Sequence, residues 1–289
     1  MNLTGSRSRA VKKSFLFLFF MILTLSGFPQ RVVSMAPALT EIVFALGKGD
    51  ALVGVTKFCD YPPEAKKIRT IGGLLDVNME ALLALAPELI LTYPEHYTKV
   101  KFLRSRAVVL VVQHQTLADL FASIFAIGNA LHAEPRAQKL VSAMQNELNS
   151  IAARTAGRNK MRTLIIAGRN ADELKNMYII GKNDFLNDLL EIAGGVNAYQ
   201  GEINYPNISM ETVIFLDPDV ILEISAHHEG IGDEKIFAMW RPFKMLQAVR
   251  NRQIKIIKQS FWLRPGSRVG RIAGELAKIF AQTDAVKKP

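Results

Sequence analysis

The sequence predicts an α/β chain folded as two halves joined by one long helix. Three observations predict it. Short β-rich runs alternate with helical patterns over most of the chain, a segment from Pro135 to about Arg154 contains no strand, and a fourteen-residue stretch of the first half recurs in the second at an offset of 131. Strands alternating with helices imply parallel βαβ units, because parallel neighbours need a crossover connection.

Arg31–Met35 reads as a buried strand. Pro37–Leu46 reads as a helix with Leu39, Ile42, Val43 and Leu46 on one face and Gly47 as its stop. Ala51–Thr56 is a strand, and Asp60–Pro63 a turn, since the residue before a proline avoids the helical region. Asn78–Leu85 is a helix with Asn78 as N-cap, Glu88–Thr92 a strand, Lys99–Arg106 a helix, Val108–Gln113 a strand and Leu117–His132 a helix. The joining helix follows, with Pro135 in its first turn and Leu140, Met144, Leu148 and Ile151 at helical spacing. The alternation then restarts: Thr163–Ala167 strand, Asp184–Ile192 and Ser209–Leu216 helices, Val220–Ile224 strand, Ile236–Val249 helix, Ile254–Lys258 strand and Val269–Phe280 helix. The domain division is 31–132, 135–156 and 160–283.

Asn78–Leu91 lies on Ser209–Leu222 with six identical and four conservative positions of fourteen. The unit is a capped helix, a proline break and a buried strand. Arg31 and Arg162, each just before its half's first strand, share the offset, as do Glu80 and Glu211. Either glutamate suits a helix N-terminus electrostatically. His96 and His227 are also 131 apart, in loops after equivalent strands, where α/β sheets bind ligands. They read either as solvated loop residues or as the two walls of a groove.

The chain of 289 residues is 49% apolar and 21% charged, with one Cys and a net charge of +10. This composition excludes a disordered chain and an internal disulfide framework. No apolar run reaches the length of a membrane span. Residues 1–26 read as a secretory signal cut after Ser26, with an uncleaved anchor as the alternative: Arg7, Arg9, Lys12 and Lys13, then an apolar run from Phe15 to Leu25, then the small Ser26 and Gly27. No Cys stands where a lipoprotein would need one. Without the leader, 32 basic residues face 26 acidic ones, or +6, spread out and densest over Arg241–Lys258. That distribution argues against a nucleic-acid partner.

Motifs of catalysis are missing: no Gly-x-Gly-x-x-Gly or P-loop, no Gly-x-Ser-x-Gly elbow, no His pair spaced for a metal. Cys59 reads as a packed thiol. The expectation is a protein without catalytic residues, resident metal or cofactor, with an α/β enzyme using the interlobe cleft as the remote alternative. Phe58, Tyr93, Tyr97, Tyr178, Tyr205, Phe261 and Trp262 instead gather after strands and in loops, where flat apolar area suits a large conjugated ligand.

Ser34–Glu41, Val53–Pro63, Gly72-Gly73, Asn78–Glu80, Gly194–Asn197, Ser209–Glu211 and Asp217–Asp219 resemble the helical-backbone periplasmic binding proteins of ABC importers, over about Arg31 to Phe280. The closest likeness is to vitamin B12 binders. The resemblance implies two Rossmann-like lobes with parallel sheets around one rigid helix, and one ligand in the cleft, a cobalamin-like corrinoid. It implies Phe58, Tyr93, Tyr178 and Tyr205 as ring contacts, with Phe261 and Trp262 in the last cleft loop. It implies Glu80 and Glu211 as docking points for the two permease subunits of an importer with its ATPase. Leu74, Phe261 and Pro265 depart from the B12-binder pattern, where a Trp, an acid and an Arg stand. Haem and ferric siderophores stay open as ligands, with His96, His227 or a tyrosine on the iron. An exported periplasmic monomer is expected.

Overall fold

The computed structural model of the chain describes residues 30–74, 76–225 and 232–287, the last four by backbone alone. The leader and His227 lie outside the described residues. In the first lobe β1 (Val32–Ser34), β2 (Leu52–Val55), β3 (Leu89–Thr92) and β4 (Val108–Val111) form a sheet of order β2-β1-β3-β4, parallel throughout. Its helices are α1 (Pro37–Ala45), α2 (Met79–Ala84), α3 (Pro94–Val100) and α4 (Leu117–Ala130). β1 and β3 are buried on both faces, as continuous apolar runs require.

The joining helix α5 spans Glu134–Thr155, 22 residues, or about 33 Å. Its buried stripe is Ala137, Val141, Met144, Leu148, Ile151 and Thr155, so the stripe begins on Ala137–Val141 rather than on Leu140. Each end is tied to one lobe. Arg136 donates to the carbonyls of Leu46 and Gly47 (3.0 and 2.9 Å), and the Thr155 hydroxyl donates to Ile192 (2.9 Å). One apolar core runs from α1 through α5 into the second lobe. The lobes therefore share packing rather than hanging on a bare linker.

The second lobe contains β5 (Met161–Gly168), β6 (Met177–Ile179), β7 (Gly195–Asn197), β8 (Asn207–Ile208), β9 (Val220–Ile224) and β10 (Ile254–Ile257). Its helices are α6 (Phe185–Ile192), α7 (Met210–Leu216), α8 (Asp233–Trp240), α9 (Gln247–Arg250) and α10 (Val269–Lys287). The order is β10-β9-β5-β6-β8, with β7 on β5. The β10, β9 and β5 pairings are parallel, as predicted; the unpredicted β7 also pairs parallel with β5, while β6 runs antiparallel to β5 and β8. Two predicted helices differ. The turn from β3 starts helix α3 at Pro94, where the fixed proline φ suits a first turn, and Lys101–Ser105 is a 3-10 turn. The predicted Ile236–Val249 helix is two, α8 and α9, split around Pro242.

The repeat is structural down to its hydrogen bonds. Arg31 donates to the carbonyls of Leu85 and Ala86, and Arg162 to those of Leu216 and Asp217. Those acceptors end α2 and α7, where orphan carbonyls attract cations. The carboxylates of Glu88 and Asp219 accept from the N–H of Arg31 (3.3 Å) and Arg162 (3.0 Å). Ala86 and Asp217 both take positive φ, 39° and 36°.

Candidate functional site

The loops at the carboxyl ends of β1, β2, β3, β4 and β10 converge on a cavity of about 560 Å³ between the lobes. From the first lobe come Ala36, Pro37, Ala38, Lys57, Phe58, Leu74, Asp76, Tyr93, Glu95, His96 and His114. From the second come Ser260, Leu263, Arg264 and Pro265. Strand carboxyl ends are where open α/β sheets bind ligands. A larger concavity, about 1150 Å³, lies on the outside of the second lobe between α8 and β10. It has no wall from the first lobe, so the interlobe cavity is the better candidate.

Four sequence candidates meet there: Phe58, Leu74, Tyr93 and His96. Phe58 is exposed, with the Lys57 ammonium 5.3 Å from its ring centre. Leu74 is placed by the Gly72-Gly73 turn. Gly72 has φ +90°, and a Cβ on Gly73 would lie 2.2 Å from Asp76 Oδ1. The Tyr93 ring packs on His114 at 4.0 Å between centres, and burial pushes its hydroxyl pKa up. Burial lowers the His96 pKa, favouring a neutral imidazole.

The sequence reading missed His114, Glu95, Lys57 and Arg264. His114 Nε2 and Glu95 Oε1 are 2.9 Å apart. This carboxylate fixes the ring's orientation. His114 stands three residues past the end of β4, at least as close to its strand as His96 is to β3, so the rule that selected His96 could have found it. Arg264 pairs with Asp60 across the lobes at 2.5 Å.

The other candidates sit differently. Trp262 is wholly buried, its Nε1 donating to Glu275 (3.1 Å), and presents no surface to the cavity. Phe261 is buried beneath Arg268 and Arg271, 4.5 and 4.7 Å from its ring centre. Both are framework because the 3-10 turn Ser260–Leu263 points them inward and leaves Leu263 facing the cavity. Tyr178 and Tyr205 are half-exposed and outside the cavity lining. Tyr205 donates its hydroxyl to Asp184, the N-cap of α6. Burial raises Asp184 to about 6, against the lowering pull of the hydrogen bonds from the Tyr205 hydroxyl and the Leu186 N–H. Glu80 and Glu211 are exposed in the first turns of α2 and α7. Hydrogen bonding to Ser209 lowers the Glu211 pKa.

Beside the cavity the lobes are latched. Arg268 Nε donates to Glu41 Oε2 (2.9 Å), and its second nitrogen reaches the other carboxylate oxygen. The guanidinium lies 4.2 Å from the Tyr61 ring centre and 4.5 Å from that of Phe261. Cys59 is a buried thiol accepting from Thr40 Oγ1 at 3.1 Å, and burial pushes its pKa up. Among the described residues no group of three or more His, Cys, Asp or Glu could hold a metal ion, and no helix is long and apolar enough to cross a membrane.

Comparison with known proteins agrees with this architecture. An uncharacterised ABC transporter substrate-binding lipoprotein of Bacillus subtilis, YvrC, is 30% identical over 69% of this chain and 65% of its own length. A vitamin B12-binding protein of Vibrio cholerae is 27% identical over 90% of this chain and 92% of its own. Among solved structures, the periplasmic haem-binding protein RhuT of Roseiflexus superposes with a TM-score of 0.75 at 25% identity, covering 89% of this chain and 99% of its own. The haem-binding protein HutB of Vibrio cholerae superposes at 0.76 with 24% identity, covering 87% and 98%, a likeness of fold. A family model described as periplasmic binding protein matches residues 32–261, and the chain belongs to that family.

Proposed function

We propose that this chain is an exported substrate-binding protein that captures a corrinoid between its lobes and delivers it to an ABC importer. One observation carries the reading: a cavity built by both lobes, with an exposed Phe58 ring and apolar Leu74, Leu263 and Pro265 beside a few polar groups. Flat apolar walls with sparse polar anchors suit a rigid conjugated ring. Lys57 and Arg264, one from each lobe, supply cations for acidic or amide substituents at the ring edge. The B12-binding relatives support the choice of ligand class.

Glu80 and Glu211 dock on basic surfaces of the two permease subunits, which the importer's ATPase drives. The protein acts as a monomer in the periplasm, by binding and hand-over, without catalysis. Haem is the second reading, favoured by His96 and His114, two imidazoles in one cavity wall. Calorimetric titration with cobalamin, haem and a ferric siderophore, with visible spectra of each mixture, tests the choice. Saturable one-to-one binding of cobalamin is expected. Binding of haem alone, with a shifted Soret band, would replace the first reading by the second.

A further inference from the structure

The outward faces of α2 and α7 match position for position. Glu80, Leu83 and Ala84 on one, and Glu211, Ile214 and Phe215 on the other, stand at i, i+3 and i+4, share the 131 offset and are all exposed. The buried positions Leu82 and Val213 match as well. Leu83 is 41% and Ile214 39% exposed, while Phe215, in place of Ala84, is 87% exposed. Exposed apolar side chains clustered on one helix face beside a charge contribute nothing to the core and suit an interaction surface. Two equivalent faces on one chain fit a partner that presents two equivalent surfaces, as a two-fold dimer does.

We infer that Phe215 is an apolar anchor for the importer's permease dimer, so that the second lobe docks more strongly than the first. This rests on the proposed docking of Glu80 and Glu211 and adds a contact that charge alone does not provide. The two acidic side chains match basic permease surface and steer the encounter. The Phe215 ring, beside Glu211 on the same helix face, enters an apolar recess next to that basic surface. The same recess on the other subunit receives only Ala84, flanked by Leu83. An exposed ring that becomes fully desolvated on docking has the character of a hot spot.

The test is binding of wild type, Phe215→Ala, Phe215→Leu, Leu83→Ala and the double variant Glu80→Lys/Glu211→Lys to the importer's permease–ATPase complex in nanodiscs. Melting temperature and ligand titration are measured on each variant. Phe215→Ala should weaken docking about tenfold or more, Leu83→Ala less, and Phe215→Leu should restore most of the loss. Ligand affinity and melting temperature should match wild type, because the ring touches no core. The inference is overturned if Phe215→Ala docks like wild type while the charge-reversed double variant has lost docking. If the double variant also docks like wild type, the docking reading itself falls and the anchor with it.

Discussion

Replacing Arg268 by Met removes the guanidinium that joins the lobes beside the cavity. Glu41 is then left buried, 1% exposed, without its hydrogen-bonded cation and with only the more distant Arg264 acting on it, while Arg268 itself is 17% exposed. Breaking a buried pair by removing one partner costs about 3–5 kcal/mol, and the residual exposure of Arg268 places this case near 3 kcal/mol. For a chain this size that is roughly 6–12 °C in melting temperature. The cost should depend on pH in a definite sense. Burial already raises the Glu41 pKa against the lowering pull of Arg268. A carboxyl raised in the fold favours the folded state most below its unfolded pKa and loses that contribution as pH rises through the folded value. Removing Arg268 raises Glu41 further, so the deficit of the variant should be widest at neutral pH and shrink toward about pH 4. Thermal scans of both proteins from pH 4 to 8 measure this. A deficit under about 2 °C, or one that grows on acidification, would mean that the pair is solvated and does not hold the lobes together.

Other outcomes follow from the same geometry. Phe58→Ala should weaken ligand binding about tenfold with an unchanged melting temperature, because the ring is solvent-exposed rather than part of the core; titration calorimetry reads the affinity and a thermal scan the stability. Asp184, raised by burial to about 6 from an ordinary 3.8, favours the fold below the lower value and loses about 3 kcal/mol as pH climbs through the upper one. Asp184→Asn, which keeps the α6 cap, should remove that slope in a pH series of denaturant melts. Charge reversal of Glu80 and Glu211 together should abolish uptake by cells while leaving ligand affinity intact. Because α5 is packed into both lobes, ligand should change the radius of gyration little in small-angle scattering, and a large compaction would mean a hinge.

The helix α5, the parallel cores and the repeat were legible because they rest on local signals: apolar spacing, caps and proline breaks. Arg31 and Arg162 were found as an offset in the sequence and proved to cap equivalent helices. The antiparallel strands β6 and β8 were not legible, since Met177–Ile179 and Asn207–Ile208 are too short to carry a period. At the site, position after a strand identified Phe58, Tyr93 and His96. The same rule could not tell Leu263, which faces the cavity, from Trp262 one residue earlier, which is core. That difference is set by the Ser260–Leu263 turn packing on α10, a tertiary choice. Arg264 and Asp60 are 204 residues apart, so no local pattern links them.

One ligand is expected to sit between walls from both lobes. Absorbance titration of cobalamin and haem into wild type and into the Phe58→Ala/Leu263→Ala double variant, which cuts one wall from each lobe, tests it most directly. Saturable binding of one of the two by wild type should be lost in the double variant, with its fold intact. Binding of neither ligand by wild type, or equal binding by both proteins, would contradict it.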